Sequence, residues 1–128
     1  MGKLFLAGIG GFIGSSLRYA ATGYVQQLSR SIHFPYGTLA VNLIGCFLIG
    51  FLSQLAESRG MFTAESRTFV FIGILGGFTT FSAFGYEGVF LIRRGEVGIA
   101  CAYAGLSVLC GFAAVWLALK LFSFGAHH

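Results

Sequence analysis

Three long uncharged runs limit what this chain can become. Phe34 to Ala56 is 23 residues, Thr68 to Tyr86 is 19, and Val97 to Leu119 is 23. Each, as a helix, is long enough to cross a hydrocarbon core of about 30 Å. The first apolar stretch, Leu4 to Leu17, is only 14 residues. It crosses if Arg18 sits near the far end or faces a polar interior, with the helix running to about Thr22. The expectation is an all-α membrane protein with one transmembrane domain over residues 1–128, its spans near 4–22, 34–56, 68–90 and 97–120. Lys3 before an apolar stretch is suggestive of a signal peptide. No small-residue cleavage motif follows, however, and Arg18 interrupts the run, so the segment is taken as a retained span. His127 and His128 are set aside as the stub of a purification tag.

Charge supports lipid as the main solvent. Only 9% of residues are charged and 56% are hydrophobic, whereas a soluble domain carries roughly 25% charged residues. Four spans leave little chain for a soluble catalytic domain. The net charge of +4 comes from eight Lys and Arg spread through the gaps between runs. That pattern fits loop cations meeting lipid headgroups, not a nucleic-acid surface. Cys46, Cys101 and Cys110 lie inside hydrophobic runs without metal-ligand spacing, and read as small packing residues.

Small residues recur at helical spacing in every span: Gly10 and Gly14, Cys46 and Gly50, Gly73 and Gly77, Ser107 and Gly111. In lipid such seams let helices approach closely, so a compact bundle or tight dimer follows. Pro35 fits a turn into the second span. Ser58-Arg59-Gly60 ends it, Thr63 is an expected N-cap with Glu65 in the first turn, and Arg93-Arg94-Gly95-Glu96 forms the last turn. One membrane side would carry Lys3, Arg59, Arg67 and Lys120, the other Arg18, Arg30, Arg93 and Arg94. This tie leaves the positive-inside rule without a preferred orientation. Dual topology is expected, and with it an antiparallel homodimer.

The third span is the unusual one. Gly76-Gly77-Phe78-Thr79-Thr80-Phe81-Ser82 places glycines and hydroxyls near its middle. Either the helix breaks there, freeing backbone groups for protein, water or an ion, or it continues with glycine seams and hydroxyls bonded to their own turn. Phe81 and Phe84 share a helix face; they are either filling or a pair of electropositive ring edges for a small anion. Asn42, with Thr38 one turn before it, suits an interhelical hydrogen bond or a pore. Arg18 and Glu87 are the ionisable residues closest to membrane depth, and each either snorkels or serves function. Tyr103 and Ser107 could extend a polar line beside Glu87. No Ser-His-Asp set, Walker loop or HExxH is present, and only Glu87 or the loop residue His33 could act as a base. An ion path is the economical reading; the chain is not expected to be an enzyme.

Three segments carry a resemblance. They are Gly10-Gly11-Phe12-Ile13-Gly14-Ser15-Ser16-Leu17-Arg18-Tyr19, Gly37-Thr38-Leu39-Ala40-Val41-Asn42-Leu43-Ile44-Gly45, and the stretch from Gly73 to Phe84. In this order the chain resembles the CrcB/Fluc family of bacterial fluoride channels over nearly its whole length. The resemblance implies an antiparallel dual-topology homodimer of four-helix subunits, passively releasing fluoride across the bacterial inner membrane. It implies that Phe81 and Phe84 meet fluoride by their ring edges, that Asn42 donates its amide, and that Thr80 and Ser82 offer hydroxyls. Thr38, Glu87, Tyr103 and Ser107 would form a facing polar track, and Arg18 would stand near the vestibule. It also implies a structural Na+ at the dimer interface, held by backbone carbonyls of Gly76 and Thr79. Ala83 departs from the family, which often has threonine there. The competing reading is a small dual-topology multidrug-type transporter. That would want an acidic residue in the first span, which has Arg18 and no Asp or Glu. A non-transporting membrane assembly subunit is the third reading.

Overall fold

The computed structural model describes residues 2–30, 34–60 and 62–122. His33, His127 and His128 lie outside the described residues. Among those described, regular structure is helical throughout. Helix α1 spans Gly2–Ser29 and α2 spans Tyr36–Arg59. Helix α3 covers residues 64–78, built from an α-helical turn Ala64–Arg67, a π-helical stretch Thr68–Leu75 and a last turn Gly76–Phe78. Helix α4 is Phe81–Arg93 and α5 is Val97–Leu121. Four stretches are long and apolar enough to cross a membrane: Gly2–Ser29, Tyr36–Arg59, Ala64–Arg93 and Val97–Leu121.

The turns follow from local chemistry. Gly60 ends α2 at φ 58°, its amide donating to the Ala56 carbonyl at 3.0 Å. This left-handed conformation is one that glycine adopts without Cβ strain. Thr63 caps α3 as the sequence indicates, and Ser66 completes a reciprocal capping box: Ser66 N–H donates to Thr63 Oγ1, and Thr63 N–H donates to Ser66 Oγ. Such a box satisfies two otherwise orphaned amides. At the start of α2, Pro35 provides no side-chain cap. Gln26 on α1 supplies it instead, accepting from Gly37 N–H at 2.9 Å and donating to the Phe34 carbonyl at 3.0 Å. One side chain thereby straps the α1–α2 connection.

Packing sorts the helices into two contacts. Helix α1 lies along α3, and α2 lies along α5. The first contact is backbone against backbone. A Cβ at Gly10 would stand 2.8 Å from Gly73 Cα, and one at Gly77 would stand 2.7 Å from the Gly11 carbonyl. At Gly14 a Cβ would strike the Ile74 carbonyl and come within 2.9 Å of Phe78 N. The two glycine pairs read from the sequence therefore face each other, which is how small residues hold helices together in lipid. Gly14→Leu is expected to destabilise the protein by about 3 kcal/mol or more, because the clash is with rigid backbone. Thermal unfolding in detergent would show the fall. The α2–α5 contact is closed by Cys46 near Gly111 and by Gly50 against Val115 and Ala118. A small core of Leu91, Ala100 and Tyr103 joins α4 to α5.

Candidate ion path

The site begins where α3 stops. Thr79 takes φ −91°, ψ 150° and Thr80 takes φ −148°, ψ 122°, two extended residues between helices. Thr79 N–H still donates to the Leu75 carbonyl at 3.0 Å, but the Thr80 amide has no helical partner and must find one elsewhere. Asn42 on α2 meets the polar groups of Thr80. Its Oδ1 accepts from Thr80 N–H at 3.0 Å and its Nδ2 donates to the Thr80 carbonyl at 3.2 Å. The carboxamide thus pairs with one residue's backbone as a neighbouring strand would. One Nδ2 hydrogen remains beyond this pairing.

The same geometry redirects donors from two carbonyls. In a continuous helix the Gly76 carbonyl would accept from Thr80 N–H, but that amide goes to Asn42. The Thr79 carbonyl would accept from Ala83 N–H, but that amide caps Thr80 Oγ1 at 3.2 Å. The neighbouring Gly77 carbonyl accepts from Arg18 Nε at 3.1 Å. Arg18 therefore places a cation at the carbonyl end of α3, where the helix dipole favours one. The Thr79 hydroxyl donates back to the Leu75 carbonyl at 3.0 Å, and the Thr80 and Ser82 hydroxyls lie 3.2 Å apart.

A second polar cluster forms one turn further along. Glu87 on α4 accepts from Thr38 Oγ1 at 3.0 Å on one carboxylate oxygen and from Tyr103 OH at 3.0 Å on the other. Thr38 is 4% exposed and Tyr103 is fully buried. Three helices therefore meet at one carboxylate. The Tyr103 ring is packed by Phe84 at 5.2 Å and by Phe34 in a T-shaped contact at 5.5 Å and 85°. Phe84 in turn stands 5.7 Å from Phe81. The two phenylalanines differ in setting: Phe84 packs on the buried cluster, while Phe81 is 82% exposed in the single chain.

Two clefts share Thr80. One, of about 450 Å³, is lined by Asn42, Gly76, Thr79, Phe81, Phe84 and Ser107 among others. The other, of about 650 Å³, includes Arg18, Tyr19, Thr38, Ala83 and Glu87. Ser107 thus faces the phenylalanine groove and is absent from the carboxylate cluster, although Tyr103, one turn away, is bonded to it. Ala83 gives the second cleft a methyl and its backbone amide to the Thr80 cap. Three features escaped sequence reasoning: the π-helical stretch before the glycines, the Arg18 bond to Gly77, and the Gln26 strap. A π segment inside a helix is often found at functional sites, but nothing in the hydrophobic pattern of Thr68–Leu75 separates it from an α-helix.

These features define a multi-pass membrane protein in which a carboxamide, a carboxylate and several hydroxyls gather around two non-helical residues. The chain belongs to the CrcB family: the family model described as CrcB-like protein, Camphor Resistance (CrcB), matches residues 5–119. A fluoride-specific ion channel FluC of Methylobacillus flagellatus is 44% identical over 121 residues, 94% of each chain. One from Chlorobium phaeobacteroides is 43% identical over 111 residues, covering 87% of this chain and 84% of that one. Another from Parabacteroides distasonis is 44% identical over 119 residues, covering 93% and 91%.

Proposed function

We propose that this chain is a fluoride-selective channel, passively releasing fluoride across a bacterial inner membrane and so lowering its toxicity inside the cell. The observation that carries the reading is the Asn42–Thr80 pairing at the head of the Phe81–Phe84 ring pair, all on one groove. Relatives named as fluoride-specific channels over 94% of the chain support it. Fluoride is small and strongly hydrated, so a path for it must replace water's donors. The second Asn42 N–H, the Thr80 and Ser82 hydroxyls and the positive ring edges are such donors. The N-terminus of α4 opens on the same place, adding the positive end of a helix dipole. Ser107 adds a hydroxyl to the same groove, and Glu87, held by Thr38 and Tyr103, forms a separate polar cluster beside it. Arg18 makes the entrance electropositive.

In this reading the third span is a transmembrane helix broken near mid-membrane, and two copies meet there. Unpaired backbone facing lipid would be costly, and Gly76, whose carbonyl has lost its helical donor, is exposed in the single chain together with the Phe81 ring. A second copy covers them. The tied charge count favours an antiparallel, dual-topology pair. The residues also fit a sodium ion at its centre. Gly76 and Thr79 offer carbonyls whose helical donors have been diverted to Asn42 and to the Thr80 cap. Freed carbonyls at a helix break are the donor type that binds such cations. A bound sodium there would satisfy these carbonyls and hold the two breaks together.

Liposomes loaded with potassium fluoride test the reading: valinomycin should release fluoride only when the protein is present. No efflux from correctly folded dimers would overturn it. Phe81→Ile is expected to lower that flux by about tenfold, because it removes the positive ring edge. The subunit fold should be unchanged, since the ring packs little within the chain. Equal flux would remove Phe81 from the path.

A further inference from the structure

We infer that the end of α4 carries a binding site for the phosphate of an anionic phospholipid. Helix α4 closes on Arg93 and Arg94. Gly95 at φ 83° then turns the chain, and Glu96 N–H donates to the Leu91 carbonyl at 2.9 Å. This turn fixes where the arginines point. The Arg94 guanidinium lies 5.7 Å from the Phe90 ring centroid, with Nη2 3.7 Å from Glu96 Oε1. Phe90 is stacked on Tyr86 at 6.1 Å and 28°. Arg93 has no side-chain hydrogen bond or ion pair among the described residues.

Tyr86, Val89, Phe90, Arg93 and Arg94 together line one cleft of about 420 Å³. Its polarity is graded along the helix. The two guanidiniums stand at the end, Val89 and Phe90 about one turn inward, and Tyr86 about two turns inward. A water-soluble anion would use only the cations. A phospholipid would use the whole cleft, phosphate at the arginines and glycerol and acyl carbons along Val89 and Tyr86. Both of these are exposed, at 56% and 71%. Charge agrees: two arginines less the Glu96 carboxylate leave one positive charge, against one negative charge on a phosphodiester. A zwitterionic headgroup brings its own ammonium to the same arginines and is disfavoured. Tyr86, Phe90 and Arg94 also line a cleft with Glu87 and Leu91, whereas Val89 and Arg93 do not, so Arg93 tests the lipid site apart from the proposed ion path.

The test uses the purified full chain in detergent. Phosphatidylglycerol should raise the thermal midpoint more than phosphatidylcholine with the same acyl chains. In native mass spectrometry its retention should fall about fivefold for each arginine replaced in Arg93→Gln and in the Arg93→Gln/Arg94→Gln pair. Arg59→Gln, at the end of another helix, should keep the full preference. Should the double variant fail to fold, Arg93→Glu carries the same test, since that side chain is exposed and unbonded. Undiminished phosphatidylglycerol retention in the arginine variants would overturn the site. So would an equal stabilisation by inorganic phosphate, which would make it a free-anion site.

Discussion

Asn42→Asp is expected to reduce fluoride efflux from liposomes by about a hundredfold or more while the subunit still folds. The substitution keeps shape and keeps one bond, because a carboxylate still accepts from Thr80 N–H. It destroys the other: the Thr80 carbonyl, 3.2 Å from Nδ2, would face an oxygen instead of a donor. In the proposed path it also removes the spare N–H offered to the anion and adds a negative charge beside it. A half-buried charge facing a carbonyl and a fluoride costs about 3 kcal/mol, which corresponds to roughly a hundredfold in rate. Efflux at the wild-type rate would show that Asn42 only ties α2 to the break.

The second large effect is expected at Glu87. Glu87→Leu leaves the Thr38 and Tyr103 hydroxyls without their acceptor, both in buried positions. Each stranded hydroxyl costs about 1–2 kcal/mol in this setting, so a loss of about 2–4 kcal/mol is expected, together with loss of flux. Glu87→Gln should keep most of the stability, since a carboxamide oxygen still accepts one bond. Adding Thr38→Val and Tyr103→Phe to Glu87→Leu should recover much of the lost stability, because removing both sides of a buried hydrogen bond is nearly neutral. Thermal unfolding of the single and triple variants decides it. A triple variant no better than Glu87→Leu would mean that the leucine fails for its shape, not for the stranded hydroxyls.

Hydropathy made the four membrane-competent stretches legible, and capping chemistry made several of their ends legible. Thr63, Gly60 and Gly95 stand at turns for reasons visible in one dimension. The full reach of α1 was less visible. Gln26, Gln27 and Ser29 dilute the apolar pattern after Thr22, yet α1 runs on to Ser29, with the Gln26 side chain bonded to the start of the next helix. Asn42 and Glu87 stood out as polar residues with no water to satisfy them. Their partners divide in kind. Thr38 and Tyr103 are side chains and were named from spacing. The Thr80 backbone and the Gly77 carbonyl become partners only once the chain is extended or the helix has ended. A sequence does not display that directly. For the same reason the small-residue seams were evident, but not that the α1 seam belongs to α3.

The Gln26 strap has a consequence for how the chain is made. Its bonds join residues only 8 and 11 positions apart. The Asn42–Thr80 pairing spans 38 positions and the Arg18–Gly77 bond spans 59. Loop-closure entropy favours the short links first. The first helical hairpin can therefore lock while the ribosome is still producing the third hydrophobic segment. When that segment arrives, it meets a preformed pair whose Asn42 and Arg18 are already in place. Thr80 is then drawn out of the helix onto Asn42 while Thr79 stays bonded to the Leu75 carbonyl, and assembly can follow the order of synthesis.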